Sequence, residues 1–509
     1  MLMTRRTQKK IVLAVLAGLA ASLAFPPFDL PFFGWFCLLP LLYSLTDGNI
    51  GEHIRDGFLF GAVFLGITLS WLVHVTIPGT LFLVALLSLF YGLFAAAAGY
   101  AFRKEMNPIA VPAAWTVMEY VRSNIFTGFP WACLGYSQYE NVNVIQVADI
   151  TGFYGISFLM VLVSTAGLLF IKKKKESIRC IAAALTFLIM VTGYGVYRLN
   201  SLEPDGKVRL SVIQGNIPQQ EKWDPDMSEK IIGVYRELTE SSAEEDSDMI
   251  IWPETSYPYL IEDEHASYDS LKELSDLTGR PLLVGAVYGQ GEVFYNSAVL
   301  FNTSTDDIRV YNKTHLVPFG EYIPLGKYFA FIREHIDKPI GDFGKGDEYV
   351  LFPLKVTIED APFLGTRIRE IRFYRFGVLI CFEDIFPYLT REFVKKGADF
   401  IVNITNDAWF GQTAASRQHL QASVMRAVEN RRPLIRAANT GISCFISAKG
   451  TVYSVVRGGG EEIFVRGNAT DDIEIYSDRA FYTLYGDVFA GLCALVLLFL
   501  FLIRRRSAS

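Results

Sequence analysis

The sequence predicts an α/β domain carried between transmembrane helices, and three features of the chain lead there. Short, β-branched apolar runs alternate with helical patterns from residue 201 to about 485, as strands covered on both faces do. Apolar runs long enough to cross a bilayer, about 17–25 residues, come before that stretch, and one follows it near 486–503. Polar side chains appear abruptly where several of the β-type runs end, which is how sheet-based sites are assembled.

Composition agrees with two unlike parts. Of 509 residues, 51% are hydrophobic and 20% charged, respectively above and below an ordinary soluble chain. The formal net charge of −6 says little about partners, because the charges sit almost wholly outside the apolar spans. No basic patch interleaved with aromatics points to nucleic acid.

Spans are expected near 10–26, 55–76, 81–102, 150–171, 178–198 and 486–503, with shorter candidates at 32–46 and 108–122. Pro26, Pro27, Pro31 and Pro40 punctuate the first pair, so a tight helical hairpin is expected there. Lys/Arg-rich loops stay cytoplasmic. The basic clusters are Arg5, Arg6, Lys9 and Lys10; Arg103 and Lys104; Lys172 to Lys175 with Arg179; and Arg504 to Arg506. They fall on one side only if both short candidates cross. The expectation is therefore an eight-helix membrane domain in the cytoplasmic (inner) membrane, with both termini cytoplasmic. It divides the chain into 1–200 (seven transmembrane helices), 201–485 (the α/β domain, on the outer face) and 486–509 (a last helix and basic tail). No small-residue cleavage site precedes Pro26-Pro27, so the first span is not expected to be a removable signal peptide.

One membrane-proximal loop, Thr127 to Gln138, carries Trp131 and Tyr136. Two readings are open for it: an aromatic belt at headgroup level, or a guide for a lipid. Glu119 and Arg122 lie three apart on the fifth candidate helix and are placed to pair.

In the outer domain, strands are expected at 208–214, 249–252, 282–287, 297–301, 376–380, 400–404 and 434–437, and helices at 227–242, 266–278, 388–397 and 414–430. Gly377-Val-Leu-Ile-Cys381 brings a cysteine to the end of a strand and hands over to a helical pattern at Tyr388. Such a turn exposes a nucleophile, and a helix N-terminus favours negative charge. A thiol reacts as thiolate, so its ordinary pKa of about 8.5 has to be lowered by nearby cations or dipoles. Glu254 ends the strand at Trp252, Lys313 and Glu321 share one loop segment, Glu383 follows Cys381, and Asn403, Asn406 and Asp407 end a fourth strand. Singly, Glu254 reads as a loop carboxylate, Lys313 as a solvated lysine and Cys381 as a core cysteine; their conjunction points to a site. The other cysteines are Cys37, Cys133, Cys180, Cys444 and Cys493, with no disulfide or metal spacing. His315 and His335 are expected as surface or packing residues.

Trp252-Pro-Glu254, Tyr311-Asn-Lys313 and Cys381-Phe-Glu383, in that order, resemble the Glu–Lys–Cys triad of the nitrilase (carbon-nitrogen hydrolase) superfamily. Gln214-Gly-Asn-Ile-Pro218, Lys222-Trp-Asp224, the run from His315 to Pro324 and Gly128-Phe-Pro-Trp131 extend the likeness, over nearly the whole chain, to the apolipoprotein N-acyltransferases, membrane-embedded members of that superfamily. The resemblance implies a nitrilase-like αββα sandwich inserted between transmembrane helices. Phe382 stands where the family also uses tyrosine, so no hydroxyl chemistry is expected of it.

The resemblance implies Cys381 as nucleophile, Glu254 as general base and Lys313 as electrostatic partner. Glu383 is expected to orient Lys313, and Glu321 to orient Glu254 or the amine, with the order of these two open. A two-step acyl transfer follows: a phospholipid donates an acyl chain to the thiol, and the α-amine of a diacylglyceryl lipoprotein takes it from the thioester. No metal or other cofactor is expected, because the ester already holds the acyl group in activated form, and a monomer is expected. Trp223 either lines the acyl or headgroup path or is a core tryptophan; residues 327–346 read either as a mobile arm with its hinge or as a surface loop. The rival readings are a membrane-tethered amidase or nitrilase acting on a soluble C–N substrate, and a transporter with an inert outer domain.

Overall fold

The computed structural model describes residues 5–262, 266–302, 308–322, 343–359 and 369–506. The proposed arm at 327–346 therefore lies almost wholly outside the described residues. The chain packs as two compact units, one of residues 1–202, 413–429 and 479–509, the other of 203–412 and 430–478.

The second unit holds the strands β1 (Gly206–Gln214), β2 (Met249–Ile251), β3 (Leu260–Ile261), β4 (Leu282–Gln290), β5 (Val293–Phe301), β6 (Arg309–Asn312), β7 (Leu351–Glu359), β8 (Arg369–Ile380), β9 (Phe400–Thr405), β10 (Leu434–Ala438), β11 (Cys444–Ile446), β12 (Val452–Tyr453) and β13 (Gly467–Ile475). One sheet runs β13-β1-β2-β4-β5-β6 with β3 beside β4, the other β12-β11-β10-β9-β8-β7. Their centres, β1-β2-β4 and β8-β9-β10, are parallel. Those strands are apolar throughout because both faces are covered. The sheets meet face to face through β1 with β10 and β5 with β8. The helices Ser228–Glu244 and Ala266–Thr278 cover the first sheet, and Pro387–Lys396 packs on β8. The order helix, sheet, sheet, helix is the layering that the resemblance implied.

Under the first sheet's helices lies a core that includes Ile213, Ile250, Leu282, Val284 and Val299. Trp252 anchors it, stacked on Tyr235 at 4.7 Å and donating its indole N–H to Thr239 Oγ1 at 2.9 Å. That packing fixes the chain two residues before Glu254.

β3, β6, β7, β11, β12 and β13 were not expected; the two longest of them, β7 and β13, are edge strands. Gly467-Asn-Ala-Thr-Asp-Asp-Ile-Glu-Ile475 is polar and mostly half-exposed, so it lacks the apolar run by which a central strand is recognised. β7 carries Pro353, which an edge tolerates.

The first unit contains helices Arg5–Leu23, Ile50–Thr68, Ile77–Arg103, Ala110–Asn124, Phe153–Ile171, Ser177–Ser201 and Val488–Arg506. Among the described residues Ile77–Arg103, Phe153–Ile171 and Ser177–Ser201 are long and apolar enough to cross a membrane. The candidate at 32–46 is not one helix: a 3-10 turn at Pro31–Trp35 is followed by the short helix Leu39–Ser44, with Pro40 at its first turn.

Helix Ala415–Asn430, expected within the α/β domain, packs instead with the first unit as far as Glu429. Its polar residues explain this. Gln418 takes the indole N–H groups of Trp71 and Trp131 on Oε1 (3.0 and 2.9 Å) and donates Nε2 to the carbonyls of Pro26 and Thr68 (both 2.9 Å). Arg426 pairs with Glu429 at 2.9 Å, and Glu429 accepts the Phe153 N–H. Likewise 479–485 belongs with this unit, moving the expected boundary at 485 to 478.

These bonds also remove the aromatic-belt reading of the loop at 127–138, because Trp131 and Tyr136 are buried against protein. Trp131 lies 5.0 Å from Trp71, ring to ring. Glu119 and Arg122 are buried too, but each bonds the loop rather than the other. Arg122 donates to the Trp131 carbonyl (2.9 Å) and Cys133 Sγ (3.0 Å), while Glu119 accepts the Leu134 N–H at 2.7 Å.

Candidate active site

The nucleophile candidate is placed by a backbone reversal. β8 ends at Ile380, and Cys381 adopts φ of 56°, a left-handed conformation that costs a non-glycine residue energy and that active sites are known to retain. A 3-10 turn, Cys381–Ile385, follows, and the helix starts only at Pro387. The turn, not a helix N-terminus, therefore sets the thiol; this corrects the expectation of a helix dipole beside it.

Glu383 locks the turn. Its Oε2 accepts the Ile380 N–H at 2.8 Å, and its Oε1 accepts the N–H groups of Thr314 and His315 at 2.8 and 2.9 Å. The hydroxyls of Tyr311 and Thr314 also donate to it. Burial raises its pKa against these donors. Glu383 was expected to orient the Lys313 amine; instead it ties the backbone just after Lys313 to the backbone just before Cys381. On the other side, Asn403 donates to the Cys381 carbonyl at 2.9 Å, and Arg436 donates to Asn403 Oδ1 and to Asp384 Oδ2, both at 2.9 Å.

Glu254 comes off β2. Thr255, next along, has φ of 43°, and the turn lies flat on Gly285 of β4, where an added Cβ would meet the Pro253 carbonyl oxygen at 2.2 Å. Lys313 follows β6, its backbone N–H bonded to the Asn296 carbonyl at 2.9 Å.

These side chains converge. Lys313 Nζ is 2.9 Å from Glu321 Oε1 and 3.7 Å from Glu254 Oε1, and Asn296 Nδ2 donates to both carboxylates at 2.9 and 2.7 Å. Glu321 Oε2 accepts the Val317 N–H. The open assignment thus resolves in geometry: Glu321 is the direct partner of Lys313. Burial works against the charge on Lys313, but Glu321, the Cys381 sulfur and Glu254 outweigh it and hold its pKa above the ordinary lysine range. Burial, then the Glu254 carboxylate, push the Cys381 thiol well above its ordinary range, with Lys313 pulling the other way and losing. The resting group is a thiol, which corrects the expectation of a lowered pKa.

Trp223 is half-exposed, so it is not a core tryptophan. Trp131 belongs to the other unit, where its indole N–H is bonded to Gln418. His315 stacks on Phe386 at 3.9 Å and bonds Tyr388, a packing role; His335 lies outside the described residues. Cys381 and Cys444 stand unbonded. Among the described residues no group of His, Cys, Asp and Glu is arranged to hold a metal. Asn296 and the contacts of Lys222 escaped the sequence reading. The expected strand began one residue after Asn296; a polar residue leading into an apolar run was the available signal.

Residues 17–166 match the family model described as the apolipoprotein N-acyltransferase N-terminal domain, and residues 209–466 match carbon-nitrogen hydrolase. The apolipoprotein N-acyltransferase of Geobacter metallireducens is 34% identical, the match covering 96% of this chain and 93% of the relative. That of Methylococcus capsulatus is 31% identical, covering 98% and 97%. Among solved structures, the nitrilase-superfamily protein Nit3 of Saccharomyces cerevisiae aligns at 16% identity with a TM-score of 0.38, covering 54% of this chain and 91% of that one. The chain belongs to the apolipoprotein N-acyltransferase family, and its α/β unit is a nitrilase-like, carbon-nitrogen hydrolase domain.

Proposed function

We propose that this chain transfers an acyl chain from a phospholipid, through a thioester on Cys381, to the α-amino group of the N-terminal diacylglyceryl-cysteine of a lipoprotein. The observation that carries this reading is the pairing of the buried Glu254 and Lys313 within electrostatic reach of the partly exposed Cys381, in a chain with this family membership.

Each group has a task suited to its surroundings. Cys381 rests as a thiol, so Glu254 takes its proton as sulfur attacks the ester carbonyl. Lys313 stays protonated and serves as a donor to the oxyanion of the tetrahedral intermediate, not as a base. Collapse breaks the ester C–O bond, and Glu254 returns the proton to the leaving lysophospholipid oxygen. In the second step the neutral α-amine attacks the thioester and Glu254 takes its proton. The C–S bond then breaks, an amide remains, and the proton goes back to sulfur. The thioester divides one difficult exchange into two easier ones. An α-amine titrates at about 7.7–8.0, so a modest base suffices.

For topology we propose eight crossings in the cytoplasmic membrane, the second of them made by the broken helical segment 31–44 rather than by one helix, with both termini cytoplasmic, the α/β unit extracytoplasmic and the chain acting as a monomer. The four basic clusters support it, since they share one side only with that count. Purified protein given phospholipid and a diacylated lipopeptide is expected to yield the triacylated product. Triacylation that persists in Cys381→Ala refutes the reading.

A further inference from the structure

Lys222 is a buried lysine, 2% exposed, that no step above uses. Its Nζ donates to the Glu254 carbonyl at 2.8 Å and to Thr255 Oγ1 at 2.6 Å. Both acceptors belong to the turn that presents the Glu254 carboxylate, and Thr255 is the residue held at positive φ. A β-branched residue in that conformation needs its surroundings to hold it there, and Lys222 supplies two of the bonds. The next residue along is Trp223, half-exposed, so burying Lys222 also fixes where that ring leaves the chain.

The charge matters as well as the bonds. Lys313 is committed to the Glu321 carboxylate at 2.9 Å, whereas the hydrogen-bond partners of Lys222 are neutral oxygens. Lys222 nonetheless interacts electrostatically with Glu254, at the end of β2, and with Cys381, at the end of β8.

We propose that Lys222 is a positioning residue of this site, holding the Glu254 turn in place and lending its charge to the Cys381 sulfur as that becomes negative. The inference rests on the acyl-transfer reading for its kinetic test but not for its chemical one. Burial lowers the Lys222 pKa to about 8, with Glu254 and Cys381 opposing the shift. The site therefore loses this cation as pH rises through about 8. Acyl-enzyme formation shows this cleanly, because the incoming amine takes no part in that half-reaction.

The test uses full-length protein in detergent with phospholipid as the donor. Acyl-enzyme formation is followed against pH for the wild type, Lys222→Arg and Lys222→Met. The wild-type rate is expected to fall as pH passes about 8, and Lys222→Arg, which stays charged, to keep its rate to higher pH. Lys222→Met is expected to be about ten- to a hundredfold slower at pH 7, less than the loss of an oxyanion donor, and to show no falling limb. Alkylation of Cys381 by iodoacetamide at pH 7 gives a readout independent of any acyl donor, and Lys222→Met is expected to slow it several-fold. Wild-type acylation without a falling limb near pH 8, or alkylation unchanged in Lys222→Met, overturns the proposal. A wild type that forms no acyl-enzyme while alkylation slows in Lys222→Met sinks the acyltransferase reading and leaves Lys222 in its role.

Discussion

Asn296 bridges Glu254 and Glu321: one amide nitrogen lies 2.7 Å from the first carboxylate and 2.9 Å from the second. Two carboxylates this close repel unless donors sit between them, and Asn296 and Lys313 are those donors. Asn296 is carried by β5, so the spacing is fixed by a strand rather than a loop. Asn296→Ala is expected to lower the acylation rate by about ten- to a hundredfold, with kcat rather than KM bearing the loss. Steady-state kinetics against phospholipid concentration would check this; a change in KM alone would place Asn296 in substrate binding instead.

The thiol and its base are coupled with opposite consequences. Glu254 raises the Cys381 pKa after burial does, so less thiolate is present at pH 7 than in a free cysteine, and alkylation should rise with pH. Removing that negative charge in Glu254→Gln is expected to move the thiol titration downward, so Cys381 alkylates faster at a given pH. Acyl transfer should fall by about 10²–10⁴ in the same variant, the usual worth of a general base. Faster alkylation with slower turnover is the signature; both falling together would contradict it.

Glu383 is expected to act on stability first. Its carboxylate takes backbone N–H groups from Ile380, Thr314 and His315, and glutamine would set an NH₂ group against some of those donors. Glu383→Gln should destabilise the α/β unit by about 2–4 kcal/mol, read as a lower Tm by circular dichroism. An unchanged Tm would mean that the junction between Lys313 and Cys381 does not depend on this carboxylate.

Gln418 holds together parts of the chain far apart in sequence, from Pro26 to Trp131. Gln418→Ala leaves buried carbonyls of Pro26 and Thr68 without their amide donor. A loss of about 2–4 kcal/mol is expected, measured as thermal unfolding in detergent. Gln418→Glu should do worse, since a carboxylate faces both carbonyls.

Much of this was legible in the sequence, for physical reasons that can be named. Glu254 and Cys381 stood out because each breaks an apolar run at the end of a central parallel strand, which has no other reason to turn polar there; Lys313, which follows the antiparallel edge strand β6, was legible only as part of a loop segment and of the motif Tyr311-Asn-Lys313. β13 was not legible, because an edge strand such as 467–475 shares its polar pattern with a loop. The placement of 415–430 was hidden too: its periodicity is that of any buried helix, and only the partners of Gln418 and Arg426 say which unit it joins. Lys222 could be read as part of a motif but not as buried, because burial of a lysine depends on the turn it bonds.

The central claim is that Cys381 carries an acyl chain in a thioester. The most direct measurement is mass spectrometry of the intact protein and its peptides after incubation with phospholipid alone. The account predicts an acyl-sized mass increase on the peptide containing Cys381, removed by hydroxylamine and discharged by a diacylated lipopeptide. An unmodified Cys381 in protein that still triacylates the lipopeptide would contradict it.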